Sequence, residues 1–183
     1  MAEQPTLETE RLILRPFQQS DAHDVQQLAG DRAIAETTLS IPHPYEDWMA
    51  EEWISKHQDL FDQGKAVHFA ITLKSDQKLV GAVSLMNIVK GHQAELGYWT
   101  GKPHWNRGYC TEAAREVVRY GFEVLGLNRI HACHFSRNAA SGSIMLNLGM
   151  THEGRRRQHV IKWGAFDDMD LYGILRSEWE KSG

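Results

Sequence analysis

The chain has 183 residues, 42% of them hydrophobic and 24% charged, with a formal net charge of -4 at pH 7. These values fit one folded domain spanning residues 1–183 and argue against a non-specific nucleic-acid binder. Two cysteines, Cys110 and Cys133, make no disulfide framework and suit a reduced, cytoplasmic setting. The opening residues do not read as a signal peptide, and no apolar run reaches the roughly 18 residues that span a bilayer.

Residues 7–17 read as one strand, with Leu12 and Leu14 on one face and Arg11, Ile13 and Arg15 on the other, ended by Pro16. Ser20 or Asp21 then caps a helix to about Leu28. Residues 30–47 are less regular, and Pro42-His43-Pro44-Tyr45 forces an extended or turning backbone because each proline disfavours helix before it. From Glu46 to Phe61 the spacing of Trp48 or Met49, Trp53, His57 and Leu60 predicts one amphipathic helix, closed by Gly64. Strands follow at 67–73 and 79–86, joined by a turn at 75–78, and a third at 94–100. Residues 111–125 repeat apolar side chains at helical spacing, with Gly126 at the expected cap. A strand at 128–135 leads to a short helix at 139–148, capped by Asn138 and ended by Gly149, and two closing strands run over 151–163 and 168–176. An antiparallel meander followed by β-α-β-α-β predicts an α/β (mixed α+β) architecture: a central mixed sheet covered by helices.

The stretch Trp105-Asn106-Arg107-Gly108-Tyr109-Cys110-Thr111 joins a strand to a strongly periodic helix. The first N–H groups of a helix lack internal partners and the helix dipole favours anions there, so this turn is a candidate phosphate cradle. A Walker loop is excluded because no Gly-Lys-Ser/Thr triplet occurs, and a dinucleotide fingerprint is excluded because Gly108 has no glycine partner in the turn. Arg107 and Lys102 offer cationic help, and Thr111 a hydroxyl.

Several short segments in fixed order then carry a resemblance. They are Thr9-Glu10-Arg11-Leu12-Ile13-Leu14-Arg15, Leu79-Val80-Gly81, Glu95-Leu96-Gly97-Tyr98-Trp99, the turn from Trp105 to Ala113, Asn138-Ala139-Ala140-Ser141 with Leu148-Gly149-Met150, and Lys162-Trp163-Gly164 through Tyr172. Together they resemble the GNAT superfamily of N-acetyltransferases, and within it the ribosomal-protein N-terminal (RimJ/RimL-type) branch. The resemblance implies a mostly antiparallel, splayed sheet flanked by helices, and acetyl-CoA as co-substrate. It implies the pyrophosphate on the amides of Arg107, Gly108, Tyr109, Cys110 and Thr111, and the pantetheine arm along Tyr98, Trp99 and Thr100 with Asn138 bonded to it. Many relatives carry a tyrosine on the short helix as proton donor to the thiolate; here that position is Met145, which leaves Ser141 as the implied substitute. Glu95 is the candidate general base, with Asp168, His152 and His159 behind it.

The implied acceptor is a protein N-terminal α-amine, or a small amine such as a polyamine, with residues 30–60 shaping its site. A non-catalytic acyl-CoA-binding module is the alternative that the absent tyrosine raises. No metal is expected: His131 and Cys133 share one face of a strand while His134 points the other way. Arg155-Arg156-Arg157 reads as a solvated strand or loop rather than an RNA or acidic-partner surface. Trp48, Trp53 and Tyr45 read as core or acceptor-groove wall. A monomer or a homodimer fits equally.

Overall fold

The computed structural model describes residues 3–182. Its strands are β1 (Leu7–Glu8), β2 (Leu12–Pro16), β3 (Val67–Leu73), β4 (Leu79–Val89), β5 (Gln93–Thr100), β6 (Arg129–Phe135), β7 (Thr151–Lys162) and β8 (Ala165–Leu175). The helices are α1 (Ala22–Ala29), α2 (Arg32–Ala35), α3 (Met49–Ser55), α4 (His57–Asp62), α5 (Tyr109–Glu123), α6 (Ala139–Asn147) and α7 (Arg176–Ser182). One eight-stranded sheet has the order β1-β2-β3-β4-β5-β6-β8-β7. All neighbours are antiparallel except β5 and β6.

The central strands are buried on both faces, which is why β3 and the first half of β4 read as continuous apolar runs. Helix α5 buries Ala113, Ala114, Val117, Val118 and Phe122 against Leu14, Phe69, Leu85 and Ile130 of the sheet. Truncating a fully buried phenylalanine such as Phe69 or Phe122 would cost about 3–5 kcal/mol. On the sheet's other face a smaller cluster joins Val25 and Ala29 of α1 to Ala50 and Ile54 of α3. None of the described helices is long and apolar enough to cross a membrane.

Four expectations from the sequence need correction. Residues 7–17 are a β1–β2 hairpin, not one strand: the Thr9 hydroxyl accepts from Leu12 N–H at 3.0 Å and closes a turn inside the alternating pattern. The helix expected over 46–61 starts at Met49 and breaks at Lys56 into α3 and α4. Residues 32–35 form a turn of helix capped by Asp31, whose carboxylate accepts from Ala33 N–H at 2.8 Å. After β8 the described residues continue as α7 from Arg176, the residue the expected strand reached.

Candidate functional site

Strands β5 and β6 pair only at Gln93↔Arg129, Ala94↔Ile130 and Glu95↔His131. Beyond that they part, so the β5 edge from Leu96 onward has no strand partner on that side. A cavity of about 910 Å³ fills the opening. Of the residues expected to form the site, Glu95, Tyr98, Trp99, Thr100, Gly108, Tyr109, Cys110, Thr111, Asn138 and Ser141 all line it. Arg107 does not: its side chain is exposed, and its carbonyl accepts from Arg11 Nη1 at 3.0 Å.

The turn leading into α5 is held from three sides. Trp105 Nε1 donates to Thr100 O at 2.7 Å, tying the turn to the end of β5. Gly108 caps the helix at φ 77, a conformation that disfavours any side chain. The first intrahelical bond is Glu112 N–H to Gly108 O at 3.0 Å, leaving the N–H groups of Tyr109, Cys110 and Thr111 without helical partners. The helix begins two residues before the expected Thr111, so those amides belong to the helix start itself. From the third side, Arg11 bonds Glu112 through Nε at 2.7 Å while its guanidinium lies over the Tyr109 ring. Sequence reading missed Arg11 and Glu112 as parts of this turn. The Thr9-Glu10-Arg11 segment is visible, but the 101-residue separation hides what it touches.

At the other wall, Asn138 caps α6 with its side-chain oxygen accepting from Ser141 N–H at 3.4 Å. The Tyr98 hydroxyl lies 3.1 Å from Ser141 Oγ and donates to Ser141 O at 3.0 Å. Burial is the main cause that pushes the Tyr98 phenol well above its ordinary value. Met145 is buried and contributes only apolar surface.

Glu95 sits at the vertex where β5 and β6 separate. Its Oε2 accepts from Asn87 Nδ2 at 2.9 Å, and its Oε1 accepts from Cys133 Sγ at 3.8 Å. Asn87 lies at positive φ, 51°, in the irregular stretch of β4 between Met86 and Val89. Burial and then the Glu95 charge push the Cys133 thiol up to about 11. Burial alone pushes the Cys110 thiol up to about 12, so both thiols are protonated at neutral pH.

Residues 11–151 match the acetyltransferase (GNAT) domain family. The chain belongs to the GNAT acetyltransferase family. It is 31% identical over 174 residues to the uncharacterised N-acetyltransferase YoaA of Bacillus subtilis, covering 94% of this chain and 97% of that one. It is 26% identical to the ribosomal protein uS5-alanine N-acetyltransferase of Escherichia coli, covering 94% and 92%. The fold of the ribosomal L7/L12 alpha-N-protein acetyltransferase RimL, solved in complex with coenzyme A, superposes with a TM-score of 0.84 at 17% identity, over 93% of this chain and 98% of that one. The protein is an acetyl-CoA-dependent N-acetyltransferase on a mixed, mostly antiparallel GNAT sheet.

The rest of the GNAT cavity is narrower in origin than residues 30–60. Ile34 and residues 37–41 line it, whereas no residue of α3 or α4 does. Trp48 is 57% exposed. Trp53 packs on Phe17, His57 and His68, so it is no groove wall, and Tyr45 lies against the α1–α3 cluster. The lining segment is strapped to the far end of the sheet. Lys162 Nζ, only 8% exposed at residue level, donates to Ile41 O at 3.1 Å and Leu39 O at 3.4 Å, and Arg137 Nη2 donates to Glu36 O at 2.7 Å. Neither role was visible in the sequence, because a lysine bonded only to main-chain oxygens leaves no motif.

The remaining base candidates stand outside the cavity. Asp168 Oδ1 accepts from Gln158 N–H at 2.7 Å, His152 contacts Asp170, and His159 contacts Arg156. Among the described residues, no group of three or more His, Cys, Asp or Glu side chains is placed to hold a metal.

Proposed function

We propose that this acetyltransferase acts on a protein N-terminal α-amine in the cytoplasm, in the manner of the ribosomal-protein (RimJ/RimL-type) enzymes. The observation that carries it is the acid content of the cavity: Glu95 is the only carboxylate among the lining residues. One carboxylate matches one ammonium group, whereas a polyamine brings several. The similarity to the uS5-alanine enzyme favours the same acceptor.

In this reading the free N–H groups of Tyr109, Cys110 and Thr111 and the left-handed Gly108 hold the pyrophosphate of acetyl-CoA, and exposed Arg107 adds positive charge outside. The unpartnered β5 edge at Tyr98, Trp99 and Thr100 takes the pantetheine arm as a further strand, with Asn138 at its other side. A main-chain N–H near Trp99 stabilises the negative charge that develops on the acetyl oxygen. Glu95 accepts the ammonium proton through a water, and the amine nitrogen bonds the acetyl carbon. As the carbon–sulfur bond breaks, Ser141 donates its proton to the thiolate and regains one through solvent from the nitrogen, which thereby sheds its second proton and is left as the neutral amide. An α-amine has an ordinary pKa of about 7.7–8.0, so a substantial fraction is already neutral and a weak base suffices.

The test is thiol release from acetyl-CoA with a panel of acceptors: peptides with free N-termini, the same peptides N-terminally blocked, and spermidine. Turnover of the free peptides alone is expected. Turnover of spermidine or lysine side chains with inert free N-termini would overturn the reading.

A further inference from the structure

The wall of the cavity continues past β8 as a charged ridge. Directly opposed residues on neighbouring strands share a face of the sheet. Phe135 opposes Met169, and Met169 opposes Arg156. Phe135 and Met169 line the cavity, so Arg156 is the next step outward on the same face. The Arg156 charge also reaches the cavity, where it works against the burial and the Glu95 charge that raise the Cys133 thiol.

After Arg156, β7 leaves register. Four steps from Arg156 to Val160 lie opposite two steps from Met169 to Asp167, so β7 carries two extra residues. Gln158 takes φ 47 and its N–H is held by Asp168, which turns Arg157 and His159 out of the ladder. Arg156 and Arg157 are exposed, Arg156 contacts His159 at 3.2 Å, and among the described residues neither arginine has a carboxylate partner. Arg11, Arg15, Arg119, Arg129, Arg137 and Arg155 each pair with Asp or Glu, while Arg32, Arg115 and Arg176 are held by a ring or by main-chain oxygens; among the described residues Arg156 and Arg157 stand out as two exposed arginines side by side with no carboxylate on either. Two neighbouring unpaired guanidiniums beside the cavity of an acidic chain form an anion-facing surface.

The site therefore has two ends of opposite sign. Glu95 lies on β5 and Arg156 on β7, three strands apart in the order β5-β6-β8-β7. Three strand spacings are roughly 15 Å, and Arg156 is level with Phe135, four residues along β6 from the His131 that faces Glu95, which adds about 13 Å along the strands; the span is roughly 20 Å, the length of about six residues of extended chain. A small amino acid or polyamine cannot bridge that span with an amine at one end and a carboxylate at the other. We infer that the acceptor is an acidic protein N-terminus, which seats its α-amine toward Glu95 and lays Asp or Glu side chains, about six residues on, against Arg156 and Arg157. This rests on the N-terminal-amine reading and adds the class of sequence that follows the amine.

The experiment compares kcat/KM for two peptides that share their first three residues and carry either Asp-Glu or Lys-Lys at positions six and seven. The acidic peptide is expected to be favoured by roughly tenfold at low salt, with the advantage shrinking at high salt. In Arg156→Glu/Arg157→Glu the preference should reverse, and in the milder Arg156→Gln/Arg157→Gln it should fall to near unity, with thermal unfolding reporting that each variant is folded. Equal kcat/KM for the two peptides, or a preference that both variants keep, overturns the acidic acceptor while leaving the N-terminal reading intact. Inert peptides alongside rapid turnover of spermidine would overturn both. Salt-dependent oligonucleotide binding that follows Arg156 and Arg157, with no change in peptide preference, would assign the ridge to nucleic acid instead.

Discussion

Arg11 and Glu112 lie 101 residues apart in sequence and meet at the start of α5, with Arg11 Nη2 2.7 Å from Glu112 Oε2. The pairing resolves an electrostatic conflict. An acidic residue in the first turn favours the helix dipole, but it also repels a phosphate bound at the same amides. Burial alone would raise the Glu112 carboxyl; bonds from Thr9 and from the Arg11 backbone and side chain outweigh it and hold the carboxyl below its ordinary value. Arg11 therefore offsets a permanent negative charge next to the cradle while bracing the Arg107 carbonyl. Arg11→Ala is expected to raise the Kd for coenzyme A by about tenfold, roughly 1.4 kcal/mol, and Arg11→Ala/Glu112→Gln to recover most of that. Titration calorimetry with coenzyme A reads both. A double variant no tighter than Arg11→Ala would show that Arg11 acts through packing alone.

The Tyr98 hydroxyl reaches Ser141 from β5 and lies 3.1 Å from its Oγ. With its phenol held protonated by burial, Tyr98 keeps its own proton and acts by positioning Ser141. Ser141→Ala is expected to lower kcat by about tenfold to a hundredfold with coenzyme A affinity changed less than threefold. Tyr98→Phe should lower kcat by a smaller factor, and the double variant should be no slower than Ser141→Ala, because Tyr98 acts only through the serine it positions. Multiplicative losses in steady-state kinetics would separate the two residues.

Asn87 aims its amide at Glu95 from a left-handed backbone position that Asn and Asp tolerate better than other residues with side chains. Asn87→Asp keeps the shape and places a second carboxylate within hydrogen-bond distance of the first. The pair then resists double ionisation, so the acidic limb of the kcat/KM profile is expected to move to higher pH by about one unit. Glu95→Gln should remove that limb. A profile unchanged in Asn87→Asp, with the limb lost in Glu95→Gln, would leave Glu95 as base and strip Asn87 of its positioning role.

The sequence was most informative where local chemistry and periodicity coincide. The apolar stripe of α5, Gly108 before it and the two closing strands each announce themselves within a few residues. Features made by distant partners did not. Leu7 to Phe17 alternates so regularly that only the Thr9 hydroxyl bond to Leu12, seen in three dimensions, reveals the turn. The break at Lys56 was hidden because apolar spacing continues through it: His57, on the apolar face in either case, stacks on His68. Lys162 reads as a surface charge next to Trp163, yet it is buried and bonded to the carbonyls of Leu39 and Ile41.

The buried His57 carries the last prediction. His57 and His68 stack at 4.2 Å between ring centroids, beside Trp53. His68 Nδ1 meets Ser84 Oγ at 2.7 Å, whereas among the described residues neither ring nitrogen of His57 has a hydrogen-bond partner. Burial, with the neighbouring His68 adding to it, lowers the His57 pKa to about 3; burial lowers His68 to about 4. Both rings are therefore neutral in the folded state at pH 5, while the unfolded chain, titrating near an ordinary histidine value of about 6.5, binds protons there. More protons on the unfolded state means stability rises with pH. The contribution is fully present above about pH 6.5 and is lost as pH falls from there toward 4, at a limiting slope of about 1.4 kcal/mol per pH unit for each ring that stays neutral. Replacing His57 by Phe removes one titrating group, keeps a flat ring in the aromatic cluster and breaks no hydrogen bond. His57→Phe is expected to match or exceed the parent's stability at pH 7.5 and to halve the loss between pH 6 and 4.5, measured by urea unfolding at each pH. An acid dependence identical to the parent's would mean that carboxylates, not this histidine pair, govern the acid limit of the fold.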